Sequence, residues 1–85
     1  MFLFEVNPNF IKDLQRLDPE IQTITWHKIK FYSLQDNPLK FSKKLLGTKN
    51  CYRFRIGKYR AVFSLEKNII TLLALNHRKD IYQNL

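Results

Sequence analysis

Three arginines lie at positions where two neighbouring strands would bring their side chains onto one surface. Residues 51–56 alternate between apolar and polar side chains, and residues 59–66 repeat that alternation after a short break, which is typical of paired strands with one buried face. A two-residue turn between these segments sets Arg55 opposite Arg60, with Arg53 on the same surface. Facing cations destabilise a sheet by roughly 0.2–1 kcal/mol. We therefore expect an anion there, and phosphate fits best because a guanidinium group contacts two phosphate oxygens at once.

Further polar residues extend this predicted surface. His77 has the same strand parity as Leu73 and Leu75, so we expect it to emerge beside the arginines, where an imidazole can exchange protons near neutral pH. A basic run before residue 51 would extend an RNA-binding track, and its members are Lys40, Lys43, Lys44 and Lys49. Of these, we expect Lys43, Lys44 and Lys49 to bind RNA. Arginines on a sheet and lysines in a loop are also common as solvated side chains. The clustering of three arginines with a histidine favours an anion site.

Length and composition restrict the possible classes of protein. With 85 residues, 45% of them hydrophobic, the chain can form one domain, covering residues 1–85. The net charge of +8 calls for a polyanionic or acidic partner, although charge can also serve only to keep a small protein dissolved. Cys51 is the only cysteine, so no intramolecular disulfide can form, and two histidines with one cysteine do not make a metal site. We expect a cytoplasmic protein without cofactor or metal, since Met1 to Val6 is too short for a signal peptide or a membrane span.

Two helix start signals follow a short first strand. Phe2, Phe4 and Val6 alternate as in a strand. Asn7-Pro8 and Asp18-Pro19 then each combine a capping residue with proline at the first helical position, which predicts two helices in a hairpin. The second helix should end before Asn37-Pro38. Its apolar residues predict a buried stripe, made of Ile21, Ile24, Phe31 and Leu34.

The rest of the chain predicts a three-stranded antiparallel meander with turns at residues 57–58 and 67–68. Counting outward from the second turn sets Phe63 opposite Leu72 and Ala61 opposite Ala74. One face then carries the core: Tyr52, Phe54, Ala61, Phe63, Leu65, Ile70, Leu72 and Ala74. The arginines, Ser64 and Thr71 lie on the other face. The predicted fold class is α+β, in which the N-terminal strand and the meander form one sheet with the helix hairpin packed on one face.

This order of elements resembles the RelE/ParE toxin superfamily over nearly the whole chain. The segments that carry the resemblance are Leu45-Leu46-Gly47, Cys51-Tyr52-Arg53-Phe54-Arg55-Ile56, Gly57-Lys58-Tyr59-Arg60-Ala61-Val62-Phe63 and His77-Arg78-Lys79-Asp80-Ile81-Tyr82. The resemblance implies the toxin of a type II toxin–antitoxin system, a metal-independent endoribonuclease that cleaves mRNA in the ribosomal A site. It also implies that a small antitoxin neutralises the chain, and we expect acidic or hydrophobic antitoxin segments across the basic face or against the helices.

The resemblance assigns catalytic roles to individual positions, namely Arg53, Arg55, Arg60, His77, Arg78 and Tyr82. Arg60 would stabilise the phosphorane, Arg53 and Arg55 would position the RNA, and Tyr82 would stack on or orient a base. Some relatives have lysine in the strand pair that is arginine twice here. Arginine stays protonated in proteins, so proton transfer would depend more on His77 and Tyr82.

Two other functions remain open. A chain of the ParE branch has the same fold but inhibits DNA gyrase and is no nuclease, and a basic RNA- or ribosome-binding protein would have no activity. Arg60 together with the His77-Arg78 and Tyr82 ending favours the nuclease, because a gyrase inhibitor does not need a converging acid–base set.

Overall fold

The computed structural model describes residues 1–77 and has an α+β architecture, with one mixed sheet and a helix hairpin on one of its faces. The elements in chain order are β1 Leu3–Val6, α1 Pro8–Gln15, α2 Pro19–Ser33, a 3-10 helix Pro38–Phe41, β2 Ser42–Lys44, β3 Cys51–Ile56, β4 Tyr59–Glu66 and β5 Ile69–His77.

Both predicted helix starts are confirmed. The side chain of Asn7 caps α1, because its Oδ1 accepts a hydrogen bond of 2.8 Å from the Asn9 backbone N–H. Asp18 takes the cap position of α2 without a side-chain bond to the helix. In each helix a proline occupies the first turn, where its missing N–H would have no helical partner in any case.

The sheet has the order β1-β5-β4-β3-β2. The meander β3-β4-β5 is antiparallel, as predicted, and β1 runs parallel to β5 at one edge. The other edge is β2, a segment expected from its sequence to be a basic loop. Its three residues pair antiparallel with the start of β3. The predicted fold class is therefore confirmed, with one strand more than expected.

The core lies between the helices and one face of the sheet, which we call the helix face. Phe54 and Phe63 are fully buried at its centre, with their ring centroids 4.5 Å apart. Phe10 and Leu14 of α1 and Ile29 of α2 pack into the same cluster. The side chains predicted for this face from Tyr52 to Leu72 all belong to the core or pack against it. The exception is Ala74, whose place is taken by Leu75.

Most of the residues predicted to form the buried stripe of α2 are exposed. The structure buries Thr25, Ile29 and Tyr32, whereas Ile24 and Phe31 remain about half exposed, at 46% and 47%. Apolar residues lie on two sides of α2, and the sheet can cover only one of them. Periodicity alone did not identify the covered side, since both sides have helical spacing.

A β-bulge in β5 explains the replacement of Ala74 by Leu75. Phe63 pairs with Leu72 as predicted, but Val62 pairs with Ala74, so Leu73 is an extra residue in β5. An extra residue shifts all following side chains to the opposite face. Ala61 consequently pairs with Leu75, which is 6% exposed in the core.

Asp13 of α1 ties the helix hairpin to the strand just beyond the bulge. Its Oδ2 accepts a hydrogen bond of 2.9 Å from the Leu75 backbone N–H. We expect Asp13→Ala to lower the free energy of unfolding by about 1.5–3 kcal/mol, because this N–H loses a charged acceptor in a partly buried site. Urea denaturation measures the change. Asp36→Ala, which removes an exposed carboxylate, is the control, and an equal loss in both variants would contradict the expectation.

Within residues 1–77, neither helix combines the length and the apolar character that crossing a membrane requires.

Candidate RNA-binding face

The arginine pair predicted by the turn is present. Arg55 of β3 pairs with Arg60 of β4, and Arg60 pairs on its other side with Asn76 of β5. These three residues form a row across the sheet, on the face opposite the core, because each alternates with a buried neighbour. We call this surface the arginine face. Asn76 was not singled out in the sequence, because its place beside Arg60 depends on the bulge.

The two facing arginines have different environments. Arg55 is exposed, whereas Arg60 is only 3% exposed, and its Nη1 atom is buried without a hydrogen-bond partner. Burying a charged donor without an acceptor costs free energy. Folding alone would therefore not select an arginine at this position, and an anionic ligand would supply the acceptor that Nη1 lacks.

A second row of basic residues lies next to the pair. Lys43 of β2 pairs with Arg53 of β3, so the short edge strand extends the arginine face by one cation. Lys44 pairs with Tyr52 instead and therefore points toward the helix face. Lys49 is exposed in the loop between β2 and β3. Of the three predicted lysines, the structure brings one onto the arginine face.

The predicted position of His77 is wrong. His77 pairs with Tyr59, and their rings meet edge to face with centroids 5.3 Å apart. Tyr59 packs against the core, so His77 lies on the helix face rather than beside the arginines. The bulge at Leu73 is the physical reason, since it reverses the parity on which the prediction rested. Arg78 and Tyr82 lie outside the described residues.

Tyr32 of α2 contacts the strand that carries Arg55 from the helix face of the sheet. Its ring stacks on Phe54 with centroids 4.3 Å apart, and its hydroxyl donates a hydrogen bond of 3.4 Å to the backbone carbonyl of Arg55. Burial raises the pKa of Tyr32, so the hydroxyl stays protonated and remains a donor at neutral pH. This role could not be predicted from the sequence, because nothing local links residue 32 to residue 55.

The far end of the arginine face is acidic. Ser64 pairs with Thr71, and Thr71 pairs with Glu5 of the edge strand β1. Glu5 is exposed, so a carboxylate limits the basic surface on this side. A polyanion would therefore follow the end of the sheet that carries Lys43, Arg53 and the arginine pair. Among residues 1–77, no three His, Cys, Asp or Glu side chains lie together as a metal site requires.

Two sequence comparisons agree with this architecture. The sequence profile of the ParE toxin of type II toxin–antitoxin systems matches residues 4–82. A protein named for RelE toxins, RelE1 of Methanocaldococcus jannaschii, is 32% identical and covers 98% of this chain and 97% of its own length. The chain belongs to the RelE/ParE superfamily. It is thus a RelE-like toxin of a type II toxin–antitoxin system.

Solved structures of RelE toxins share the fold. The toxin in a RelB–RelE antitoxin–toxin complex from Methanococcus jannaschii has a TM-score of 0.70 and 30% identity, covering 95% of this chain and 98% of that one. The RelBE2 toxin–antitoxin complex from Mycobacterium tuberculosis gives a TM-score of 0.74 at 22% identity, with 91% of each chain covered. At that lower identity the second likeness concerns the fold alone.

Proposed function

We propose that this RelE-like toxin is a ribosome-dependent endoribonuclease that cleaves mRNA in the A site and thereby inhibits translation. The observation that carries the proposal is Arg60, a buried cation with an unpartnered Nη1 in a row with Arg55. Such a site accepts a phosphate oxygen as the missing hydrogen-bond partner. Single-stranded RNA on the ribosome supplies phosphates in an extended track.

Each basic residue has a role in this proposal. Arg60 stabilises the charge that develops on the scissile phosphate, and Arg53 and Arg55 hold the flanking backbone. Lys43 continues the track on the arginine face, while Lys44 and Lys49 add positive charge at the sheet edge.

Proton transfer is the second requirement of this chemistry. Attack by the ribose 2′-OH needs a base, and the 5′-oxygen needs an acid. Arginine does not serve as the base because it stays protonated. His77 lies beside Tyr59 on the helix face, so we assign the larger share of proton transfer to Tyr82. Arg78 would stabilise charge on the phosphate and orient the RNA. The proposal needs no metal and no cofactor.

We also propose a cognate antitoxin as the protein partner and the cytoplasm as the place of action. The solved toxins that share this fold include some in complex with RelB antitoxins. A chain with a net charge of +8 attracts an acidic partner over a distance, which favours fast capture.

A second candidate is inhibition of DNA gyrase, favoured by the match of the ParE toxin profile to residues 4–82. In that function the arginine face would bind a protein or DNA surface without cleaving it. A third candidate is an RNA- or ribosome-binding protein without activity.

Primer extension on a reporter mRNA after induction of the chain separates these candidates. We expect new 5′ ends within the translated region, and their loss in the double variant Arg60→Ala, Tyr82→Phe. A supercoiling assay with purified gyrase runs in parallel. Absence of cleavage, or cleavage unchanged in the double variant, would refute the nuclease, and gyrase inhibition without cleavage would establish the second candidate.

A further inference from the structure

The arginine face carries a small apolar patch next to the arginine pair. Val62 of β4 lies between the buried residues Ala61 and Phe63, so its side chain points away from the core. Ala74 of β5 is its cross-strand partner and lies on the same face. Both side chains are half-buried. They provide a flat apolar surface beside cations, which is the kind of surface that can contact an unstacked nucleobase of single-stranded RNA.

Asn76 is the polar neighbour of this patch. It follows Ala74 on the same face of β5, is half-buried, and pairs with Arg60 of β4. Asparagine is depleted in strands, because its short polar side chain packs poorly on a sheet and competes for backbone hydrogen bonds. None of the side-chain hydrogen bonds within residues 1–77 involves the Asn76 amide. Folding alone would therefore not select an asparagine here.

Arg60 and Asn76 are cross-strand neighbours that do not bond to each other. Side chains directly opposite in antiparallel strands have Cβ atoms about 4.5–5.5 Å apart, and an amide oxygen is a suitable acceptor for a guanidinium N–H. Nη1 of Arg60 nevertheless has no hydrogen-bond partner. Nη1 and the amide therefore remain available for one ligand that carries both an anion and a hydrogen-bonding edge. A nucleotide carries both, in its phosphate and its base.

Four neighbouring positions on the arginine face would hold such a nucleotide: Arg60 and Val62 on β4, and Asn76 and Ala74 on β5. Two residues along one strand span about 6.7 Å, and neighbouring strands lie about 4.8 Å apart. This area is comparable with that of one nucleobase. A base that lies on Val62 and Ala74 would have its edge beside Asn76, while an adjoining phosphate reaches Arg60.

We propose that Val62, Ala74 and Asn76 form an adenine subsite, an inference that rests on the mRNA cleavage proposed above. The amide of Asn76 accepts a hydrogen bond from the adenine N6 amino group and donates one to N7. Guanine presents two acceptors at the same edge, which suit an arginine and not an amide. The base that Asn76 binds adjoins the phosphate held by Arg60. The toxin therefore cleaves preferentially beside an adenine, and Asn76 determines this specificity.

Single-turnover cleavage by the full-length toxin on programmed ribosomes tests the adenine subsite. The mRNAs differ only in the two nucleotides joined by the cleaved bond, and each of these is varied through A, G, C and U. We expect the wild type to cleave about tenfold faster when one of the two positions is adenine, a discrimination that a bidentate contact between an amide and a base can provide. Asn76→Ala should slow cleavage beside adenine more than beside the other bases and so remove most of the preference.

Two further variants serve as comparisons. Asn76→Gln keeps the amide and should retain part of the adenine preference. Thr71→Val removes a polar group from the same face of β5 outside the subsite, and its preference should stay within about twofold of that of the wild type. Thermal unfolding checks that each variant is folded. Asn76→Thr, which suits a strand better than alanine, replaces Asn76→Ala if the alanine variant does not fold.

The results separate the adenine subsite from the proposed function. If the wild type cleaves no mRNA on the ribosome, both fail. If the wild type cleaves but prefers no base or a base other than adenine, the adenine subsite fails and the proposed function stands. The same holds if Asn76→Ala keeps the preference. If Asn76→Ala slows cleavage equally beside all four bases, Asn76 acts on the phosphate and does not recognise a base.

Discussion

Replacing Arg60 with methionine is expected to lower the rate of mRNA cleavage by about 10²–10³-fold, the usual effect of removing one group that stabilises developing charge. Methionine fills a similar volume but provides no donor for a phosphate oxygen. Single-turnover cleavage on programmed ribosomes measures the effect, because it separates the chemical step from binding. Arg60→Lys should retain part of the rate, since lysine keeps the charge but loses the fork that binds two oxygens.

The same variant has an opposite expected effect on stability. Nη1 of Arg60 is buried without a partner, so Arg60→Met should leave the free energy of unfolding unchanged or raise it by up to about 3 kcal/mol. Arg16→Met is the control, because it changes the net charge equally at an exposed position at the end of α1. It should change neither the cleavage rate nor the free energy of unfolding by much. If Arg60→Met instead lowers the free energy of unfolding by more than about 1 kcal/mol, Arg60 has a structural role and does not mark an anion site.

Replacing Phe54 with alanine should have the largest effect on stability. Phe54 is fully buried and stacks between Tyr32 and Phe63, at 4.3 and 4.5 Å. Loss of a buried phenylalanine lowers the free energy of unfolding by about 3–5 kcal/mol. The whole free energy of unfolding of a chain of this length is about 4–13 kcal/mol. We expect the midpoint of urea unfolding to fall steeply and a large unfolded fraction to be present at 37 °C.

Phe41→Ala provides the comparison for Phe54. Phe41 also contacts Tyr32, with ring centroids 5.5 Å apart, but its side chain is 43% exposed. Its removal should cost only about 1 kcal/mol, because little apolar surface returns to water. If both variants lower the free energy of unfolding by similar amounts, the aromatic stack at Phe54 is not the main contribution to core stability. Phe54 also separates Arg53 from Arg55 in β3, so activity should fall together with stability.

The parts of the fold that depend on local signals could be predicted from the sequence. Asn7-Pro8 fixes the start of α1, because the cap and the proline act within one turn of the helix. The turn at Gly57-Lys58, with Gly57 at φ 60°, sets the register that pairs Arg55 with Arg60. The arginine pair could be predicted from the sequence for this reason, since it lies within three residues of the turn.

The parts that depend on tertiary contacts could not be predicted. Leu73 shifts the register of β5, and no residue type there distinguishes a bulge from a regular strand of apolar residues. The error in the position of His77 follows directly. The side of α2 that packs on the sheet is likewise decided by the shape of the sheet, because Ile24 and Ile29 are equally apolar. Arg78 and Tyr82 remain predictions from the family resemblance.

The short edge strand β2 has a consequence for the behaviour of the chain at high concentration. The outer strand of a sheet leaves backbone groups unpaired, and these can pair with another chain and start aggregation. β2 is only three residues long, and both Lys43 and Lys44 in it are exposed, features that keep a second strand from adding to this edge. Replacing both lysines with neutral residues should therefore promote edge-to-edge association of two chains. The same change should weaken RNA binding. A loss of activity in such a variant has to be measured on protein shown to be monomeric.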